Sequence, residues 1–304
     1  MKERLISNII FWVISLNLAL KNDIKSFLTE NGFVFKKSLG QNFLIDSNIP
    51  VRMSEYTCDN QTGVIEIGPG AGVLTKELSL RAKRVVAIEL DEKLKPILKE
   101  TLSGCNNVSF IFSDVLKTDL KKVIEENFSD CKSVSVCANL PYYITSPVIM
   151  KLLKEALPVK NITVMVQKEA ADRICAKVGT RDAGAITAII NYYAVAKPLF
   201  FVPKEAFLPQ PKVNSQVISL EIREKPPVDI QDEEFFFKTV NACFALRRKT
   251  AVNSVSNALG IDKQTVKEIF TALNINETAR GETFSIKTLA DLSEKLKNTC
   301  KSEE

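Results

Sequence analysis

The chain has 304 residues, of which 45% are hydrophobic and 25% are charged, and its formal net charge is +5. These values are typical of a globular protein and exclude a disordered or fibrous chain. The sequence contains no histidine, which excludes imidazole metal ligands and histidine-dependent nucleophiles, and we predict no metal site. The seven cysteines include no Cys-x-x-Cys pair, so the pattern indicates reduced thiols in a cytoplasmic protein.

Residues 1–21 form an extension whose role the sequence does not define. Lys2 and Arg4 precede the apolar run 9–14, an arrangement that a signal peptide also shows. The polar residues Ser15 and Asn17 follow that run, and it is too short to span a bilayer. A packed helix or an unnatural start codon is therefore the better interpretation, and we expect no membrane association.

From residue 63 onward, short β-rich runs alternate with helical segments, which predicts an α/β fold built on a parallel sheet. The predicted strands are 63–67, 85–89, 108–112, 134–138 and 162–166. Helices are predicted between them, the first two at 73–79 and 92–102. The later apolar segments 199–202 and 216–220 predict an antiparallel pair that closes the sheet. Ligands of such folds bind at the carboxyl ends of the strands.

A domain boundary is predicted at Lys225-Pro226-Pro227, because two prolines end any regular element. Four segments beyond it have the helical spacing of apolar residues, namely 233–246, 252–259, 263–272 and 286–296. We therefore predict a catalytic domain over residues 22–224 and a small, all-helical domain over residues 230–304.

The segment Glu66–Gly72 follows a predicted strand and opens a helix, as a nucleotide-binding glycine loop does. Glu89 ends the next strand, where a carboxylate accepts hydrogen bonds from ribose hydroxyls, a feature that NAD sites share. The glycines lack the G-x-G-x-x-G spacing of dinucleotide sites, which favours a cofactor without a pyrophosphate. Asp114 follows the third strand and is expected to bind an adenine amino group. The cofactor predicted from these residues is S-adenosylmethionine, bound in part by Gly68, Gly70, Glu89 and Asp114.

The segment Asn139-Leu140-Pro141-Tyr142 directly follows the predicted strand 134–138. An adenine amine is a poor nucleophile, because its lone pair is delocalised into the ring. If the Asn139 side chain and the Leu140 carbonyl each accept an N–H, the lone pair can point at the methyl group of the cofactor. Pro141 would hold that carbonyl in place, and Tyr142 offers a face for base stacking. Taken alone, the segment is equally compatible with a simple turn, and its position after the cofactor strands favours catalysis.

Five motifs resemble those of the bacterial 16S ribosomal RNA adenine N6,N6-dimethyltransferases, the KsgA/RsmA type, and the resemblance extends over residues 22–297. The motifs are KSLGQNFLID at 37–46, EIGPGAG at 66–72, NLPYYI at 139–144, FLPQPKVNS at 207–215 and FALRRKT at 244–250. That family places two methyl groups on N6 of each of two adjacent adenines near the 3′ end of 16S ribosomal RNA. The resemblance implies a Rossmann-like methyltransferase sheet that uses S-adenosylmethionine, followed by a small helical RNA-binding domain, in an enzyme of small-subunit biogenesis.

The resemblance also implies roles for individual residues. It implies that the cofactor is contacted by Asn42, Leu44, Gly68, Glu89, Asp114 and Asn139. Phe207 would form the second face of the adenine pocket, opposite Tyr142, for a base turned out of its stack. The cations Arg247, Arg248 and Lys249 would bind RNA phosphates. We expect a monomer whose partner is 16S ribosomal RNA, in the small subunit or its precursor.

Two other functions are compatible with these motifs. One is a relative that methylates an adenine of 23S ribosomal RNA and confers macrolide resistance, and the other is a ribosome-assembly factor without catalysis. The doublet Tyr142-Tyr143 with Ile144, and the Arg-Arg-Lys-Thr segment, favour the small-subunit enzyme. The intact glycine loop and Asn139–Tyr142 segment favour an active enzyme over an assembly factor.

Overall fold

A computed structural model describes the backbone of residues 42–302 and the side chains of residues 42–299. The predicted extension 1–21 and the start of the 37–46 motif lie outside these residues. The chain forms two compact units. Among the described residues, the first unit contains 42–168 together with Pro198–Glu221, and the second contains Glu169–Lys197 and 222–302. The predicted domain boundaries, 22–224 and 230–304, stay a prediction. The second unit differs from the predicted helical domain because it also contains Glu169–Lys197.

The elements alternate along the chain as an α/β fold requires. The first half contains β1 (Phe43–Leu44), α1 (Asn48–Thr57), β2 (Thr62–Ile67), α2 (Val73–Arg81), β3 (Arg84–Glu89), α3 (Lys95–Thr101), β4 (Val108–Phe112), α4 (Leu120–Asn127) and β5 (Ser133–Asn139). The middle contains α5 (Tyr142–Lys154), β6 (Asn161–Gln167), α6 (Lys168–Ile174), α7 (Ala185–Tyr193), β7 (Ala194–Val202), β8 (Phe207–Leu208) and β9 (Ser215–Ile222). The last part is helical, with α8 (Glu233–Phe244), α9 (Ala251–Leu259), α10 (Lys263–Ala272) and α11 (Ile286–Ser302). The predicted fold class is confirmed.

Seven strands form one mixed sheet in the order β4-β3-β2-β5-β6-β9-β7. Strands β2 to β6 are parallel, and β9 pairs antiparallel with β6. Valine and isoleucine dominate the central strands, and every residue of β2 is buried, as expected for a sheet covered by helices on both faces. The chain runs outward from β2 to β4 and then returns to β5 on the other side of β2. This reversal creates a crevice at the carboxyl ends of β2 and β5, where ligands of open α/β sheets bind.

A short second pairing joins two segments that are distant in sequence. Strand β1 pairs antiparallel with β8, so that Leu44 lies opposite Phe207. The Ile45 N–H continues the pairing by donating to the Ala206 carbonyl at 2.9 Å. The end of the KSLGQNFLID motif is thereby fixed beside the start of the FLPQPKVNS motif.

The second unit, which is mostly helical, has its own core. In it, Tyr192 of α7 packs against Phe236 and Phe237 of α8, with ring centroids 5.5 and 5.6 Å apart. The Asp232 side chain caps α8 by accepting a hydrogen bond from the Phe235 N–H at 2.9 Å. Between residues 42 and 302, no helix is long and apolar enough to cross a membrane.

One helix differs from its predicted form. The predicted helix 92–102 divides into a 3-10 turn, Glu92–Leu94, and the α-helix α3, which has Pro96 in its first turn. Proline lacks an N–H and is tolerated where the first-turn donors have no partner, so it marks the start of a helix.

Candidate active site

A single cavity at the carboxyl edge of the sheet contains every residue that the sequence assigned to cofactor binding or catalysis. They come from several parts of the first unit: the glycine loop after β2, the ends of β3 and β5, the turn after β4, the segment that leads from β5 into α5, and the β1–β8 pair. The predicted residues that line it are Asn42, Leu44, Gly68, Gly70, Glu89, Asp114, Asn139, Leu140, Pro141, Tyr142 and Phe207.

The glycine loop reverses the chain tightly between β2 and α2. Gly68, Gly70 and Gly72 have φ angles of 72°, 57° and 86°, in the left-handed region that disfavours any side chain with a Cβ. A Cβ on Gly70 would come within 3.3 Å of the Phe43 ring. The loop therefore presents bare backbone to the cavity.

Glu89 links the end of β3 to the glycine loop. Its carboxylate accepts the Asp91 N–H at 2.8 Å and the Gly70 N–H at 3.3 Å, and the residue is 7% exposed. Burial raises the pKa of Glu89, while these backbone N–H groups oppose the rise by stabilising the charged form. The side chain is thus held in a defined position at the cavity wall, where it can accept hydrogen bonds from ligand hydroxyls.

Asp114 lies in the turn that follows β4. One carboxylate oxygen accepts the Leu116 N–H at 2.9 Å, which closes a local turn. The half-buried side chain lines the cavity together with its neighbour Ser113. Glu89 and Asp114 therefore provide acceptors from two adjacent strand ends.

The predicted catalytic segment, Asn139–Tyr142, joins β5 to α5. Asn139 is the last residue of β5 and is half-buried at the cavity, and Leu140 is 3% exposed. Pro141 has φ −53° and ψ 134° and precedes the first residue of α5, Tyr142. Helix α5 therefore begins immediately after the Leu140–Pro141 peptide, which fixes the backbone between the strand and Tyr142.

Tyr142 and Phe207 are the aromatic residues that the sequence assigned to the base. The hydroxyl groups of Tyr142 and Ser215 form a hydrogen bond of 2.7 Å, and Ser215 is fully buried at the start of β9. Burial raises the pKa of the Tyr142 phenol, and the Ser215 hydrogen bond partly opposes this. The FLPQPKVNS motif therefore contributes at both of its ends: Phe207 lines the cavity, and Ser215 holds Tyr142.

We expect Ser215→Ala and Tyr142→Phe each to lower kcat/KM for methyl transfer by about 3- to 10-fold, because each removes the same hydrogen bond, which is worth about 1 kcal/mol. The double variant should be no worse than either single variant. The matched control is Ser219→Ala, four residues along β9, whose effect should be small and should add to that of Tyr142→Phe. Full additivity of Ser215→Ala and Tyr142→Phe in steady-state kinetics would contradict the positioning role.

Glu66 is a site residue that the sequence did not single out. It lies in β2, lines the cavity and is fully buried, and none of the described residues forms a hydrogen bond with either carboxylate oxygen. Burial raises the pKa of Glu66 to about 8. Its signal in the sequence was an acid inside an otherwise apolar strand, Gly-Val-Ile-Glu-Ile.

The charged residues that line the cavity identify the kind of ligand it suits. Within the described part of the chain these are Glu66, Glu89 and Asp114, and no lysine or arginine is among them. The three carboxyl groups would repel a pyrophosphate, and no side-chain cation of the lining would offset this, which disfavours NAD. S-adenosylmethionine carries a sulfonium, an ammonium and several hydroxyl and amine donors, so its chemistry fits the lining.

The predicted RNA-binding residues lie in the second unit. Arg247, Arg248 and Lys249 are all exposed in the turn between α8 and α9. Their exposure leaves three cations accessible on this turn. Among the described residues, no group of acidic or cysteine side chains is arranged to hold a metal ion.

Solved structures similar to this one define its class. The fold resembles that of a dimethyladenosine transferase from Plasmodium falciparum, with a TM-score of 0.69, 24% identity, and coverage of 85% of this chain and 98% of that one. It also resembles the 23S rRNA methyltransferase ErmE, with a TM-score of 0.62, 25% identity, and coverage of 84% and 100%. The sheet and helices are those of a Rossmann-like methyltransferase.

Sequence comparisons narrow this class. Residues 32–296 match the family model described as ribosomal RNA adenine dimethylase. Proteins named ribosomal RNA small subunit methyltransferase A from Bacillus pumilus and Bacillus licheniformis are each 50% identical to the chain, over 276 and 277 residues. The alignments cover 90% of this chain and 94% and 95% of the relatives. The chain belongs to the ribosomal RNA adenine dimethylase family, as the sequence motifs predicted.

Proposed function

We propose that the protein transfers methyl groups from S-adenosylmethionine to N6 of two adjacent adenines near the 3′ end of 16S ribosomal RNA. The substrate is the small ribosomal subunit or its precursor, which places the enzyme in the cytoplasm and in small-subunit biogenesis. Relatives named for the small subunit, each half identical to the chain, support this assignment. We expect the protein to act as a monomer.

The observation that carries the proposal is the composition of the cavity. Its charged residues are carboxylates, and the Asn139–Tyr142 segment and Phe207 line the same space. An acidic wall attracts a cationic methyl donor, and an adjoining amide and two aromatic rings suit a neutral purine. We assign cofactor binding to Asn42, Leu44, Gly68, Gly70, Glu89, Asp114 and Asn139. We assign binding and activation of the adenine base to Asn139, Leu140, Pro141, Tyr142 and Phe207.

The residues of the chain prepare the base amine for reaction. S-adenosylmethionine supplies a methyl group on a positively charged sulfur. Asn139 Oδ1 and the Leu140 carbonyl accept hydrogen bonds from the two N–H groups of the adenine amine. These hydrogen bonds draw the amine nitrogen toward tetrahedral geometry. Tyr142 and Phe207 hold the ring by stacking, worth about 1–3 kcal/mol for each base. Because the methylated amine is cationic, it loses its proton without a strong base, in agreement with a chain that has no histidine.

Methyl transfer from labelled S-adenosylmethionine to small subunits that lack the two modified adenines tests this function. Two methyl groups should be incorporated on each adenine, and primer extension should stop at both positions. Fully methylated small subunits are the control and should accept no label. Absence of incorporation by the wild-type protein would contradict the proposal.

The rival function is methylation of 23S ribosomal RNA, which the similarity to ErmE favours. That similarity is 25% in sequence, against 50% for the relatives named for the small subunit. Large subunits should therefore accept no methyl groups, and cells that express the protein should keep their susceptibility to macrolides. Resistance in those cells would favour the rival.

We expect the triple variant Arg247→Ala, Arg248→Ala, Lys249→Ala to weaken RNA binding and to reduce its salt dependence. Each lost phosphate contact lowers the slope of log K against log salt by about 0.9 on a duplex, so the slope should fall by up to about 3. Binding assays at several salt concentrations measure this. The charge-matched control replaces three other exposed lysines of the same unit, Lys225, Lys263 and Lys287, and should lower the slope less. Equal slopes for both triple variants would contradict a specific role for the turn.

A further inference from the structure

Tyr143 is an exposed aromatic residue at the mouth of the cavity. It is the second residue of α5, it lines the cavity, and it is 58% exposed. Successive residues of a helix point about 100° apart, so Tyr143 does not share the direction of Tyr142, whose hydroxyl is bonded to Ser215. None of the described residues forms a hydrogen bond or a ring contact with Tyr143. Its ring is therefore accessible to a molecule that approaches from solvent.

The cofactor does not account for this exposed ring. Of the large apolar residues that are exposed in the described part of the chain, two line the cavity, namely Leu90 at 57% and Tyr143 at 58%. Leu90 directly follows Glu89, and its strand is the neighbour of the one that Asp114 follows, so bound cofactor would cover it. Tyr143 follows β5, with the residues assigned to the base. Its exposure therefore indicates contact with RNA.

A cation lies in the loop beside the same part of the cavity. The loop 209–214 runs from β8, where Phe207 lines the cavity, to Ser215, whose hydroxyl is 2.7 Å from that of Tyr142. Both ends of the loop are thus fixed at the carboxyl edge of the sheet. Lys212 is exposed in this loop, and none of the described residues forms an ion pair with it. Because the cavity wall itself is acidic, this cation suits a phosphate that stays outside the cavity.

We propose that Tyr143 and Lys212 form a second nucleotide subsite, which holds the neighbour of the target adenine while that adenine occupies the cavity. The Tyr143 ring stacks on the neighbouring base, and the Lys212 ammonium group pairs with a phosphate beside it. This inference rests on the proposed function and extends the RNA contact of this site from one nucleotide to two.

The subsite meets a cost that arises whenever a base leaves its stack. A target adenine that is turned into the cavity leaves its neighbour with an uncovered face. An aromatic ring at the mouth replaces the lost stacking contact. Stacking tolerates any base, and every nucleotide carries a phosphate, so the subsite can serve when either of the two adjacent adenines is the target.

Single-turnover methyl transfer to unmethylated small subunits, measured over a range of subunit concentrations, tests the role of Tyr143. Tyr143→Ala should raise the half-saturating subunit concentration by about 5- to 100-fold, the range for loss of one base–aromatic stack. Tyr143→Phe keeps the ring and should stay within about threefold of the wild type. The matched control Phe201→Ala removes a 50% exposed aromatic residue of β7 that does not line the cavity, and it should behave as the wild type does.

The phosphate contact is tested by the salt dependence of RNA binding. Lys212→Ala should lower the slope of log K against log salt by about 0.7, the value for one phosphate contact on a single strand. The control is Lys160→Ala, because Lys160 is an exposed lysine that precedes β6 at the opposite edge of the sheet. This control should leave the slope unchanged.

Small subunits in which one of the two adenines is replaced by uridine test the contact with the neighbouring base. A pyrimidine offers one ring for stacking where a purine offers two. Tyr143→Ala should therefore cost less on at least one of the two substituted subunits than on the unsubstituted one. Calorimetric titration should show that Tyr143→Ala and Lys212→Ala bind S-adenosylhomocysteine as the wild type does, which also shows that both variants are folded.

The outcomes separate this inference from the proposed function. Wild-type behaviour of Tyr143→Ala, or an equal loss on all three subunits, would overturn the inference and leave the proposed function intact. So would a lowered affinity of Tyr143→Ala for S-adenosylhomocysteine, since the ring would then belong to the cofactor site. An unchanged salt slope for Lys212→Ala would also overturn it. Absence of methyl transfer by the wild-type protein would instead contradict the proposed function.

Discussion

Replacing Asn139 with alanine is expected to lower the rate of methyl transfer by about 10²–10³-fold. The expected loss resembles that caused by removing one preorganised hydrogen-bonding group from an active site, about 2.7–4 kcal/mol. Asn139 ends β5 at the cavity, and its amide oxygen is proposed to accept an N–H of the adenine amine. The measurement is a single-turnover rate on unmethylated small subunits at saturating cofactor, which separates chemistry from any loss of cofactor affinity.

A suitable control is Asn161→Ala. Asn161 begins β6, so it lies at the opposite end of the neighbouring strand, and its side chain donates to the Tyr56 carbonyl at 3.3 Å. This variant should keep a rate within a few-fold of the wild type. Asn139→Asp retains an acceptor oxygen and should fall between the wild type and Asn139→Ala. A rate for Asn139→Ala within threefold of the wild type would rule out the proposed role.

The second large effect is expected for Glu89→Ala, which should raise the dissociation constant for S-adenosylhomocysteine by about 10- to 100-fold. Hydrogen bonds to a charged group contribute about 1.5–3 kcal/mol, and Glu89 is proposed to accept them from the ribose. The substitution also leaves the N–H groups of Gly70 and Asp91 without the carboxylate that accepts their hydrogen bonds. The glycine loop then loses one of its links to β3, although the Gly68 N–H still donates to the Ile88 carbonyl at 2.9 Å. Calorimetric titration measures the affinity directly.

Two further variants make this result specific. Glu89→Gln keeps one oxygen acceptor and should lose less affinity than Glu89→Ala. Glu92→Ala removes an exposed acid three residues away and should bind the ligand as the wild type does. If Glu89→Ala retained wild-type affinity, the ribose assignment would be wrong.

The sheet could be predicted because its strands are local features of the sequence. Runs such as Ile162–Val166 are rich in apolar, β-branched residues and are bounded by polar residues, so each strand is recognisable without its neighbours. Strands β1 and β8 are two residues long and show no periodicity. Their pairing depends on contacts between segments far apart in the chain, which a local pattern does not encode.

The difference between local patterns and contacts of distant segments also explains which site residues could be predicted from the sequence. Glu89 ends one predicted strand, and Asp114 and Asn139 follow two others. Parallel strands bring their carboxyl ends to one edge of the sheet. The role of Ser215 depends on a hydrogen bond to a residue 73 positions away, and the environment of Glu66 depends on the packing around β2. Burial and partners of this kind arise only in the folded chain.

The pairing of β1 with β8 has a consequence for the length of the chain that precedes it. Side chains of a strand alternate between two faces, so one residue inserted between Val202 and Phe207 would place Ala206 opposite Leu44 and turn Phe207 away. Surface loops commonly accept insertions. This connection should not, although none of residues 203–206 lines the cavity. The length of this connection, rather than its chemistry, determines which side chain reaches the cavity.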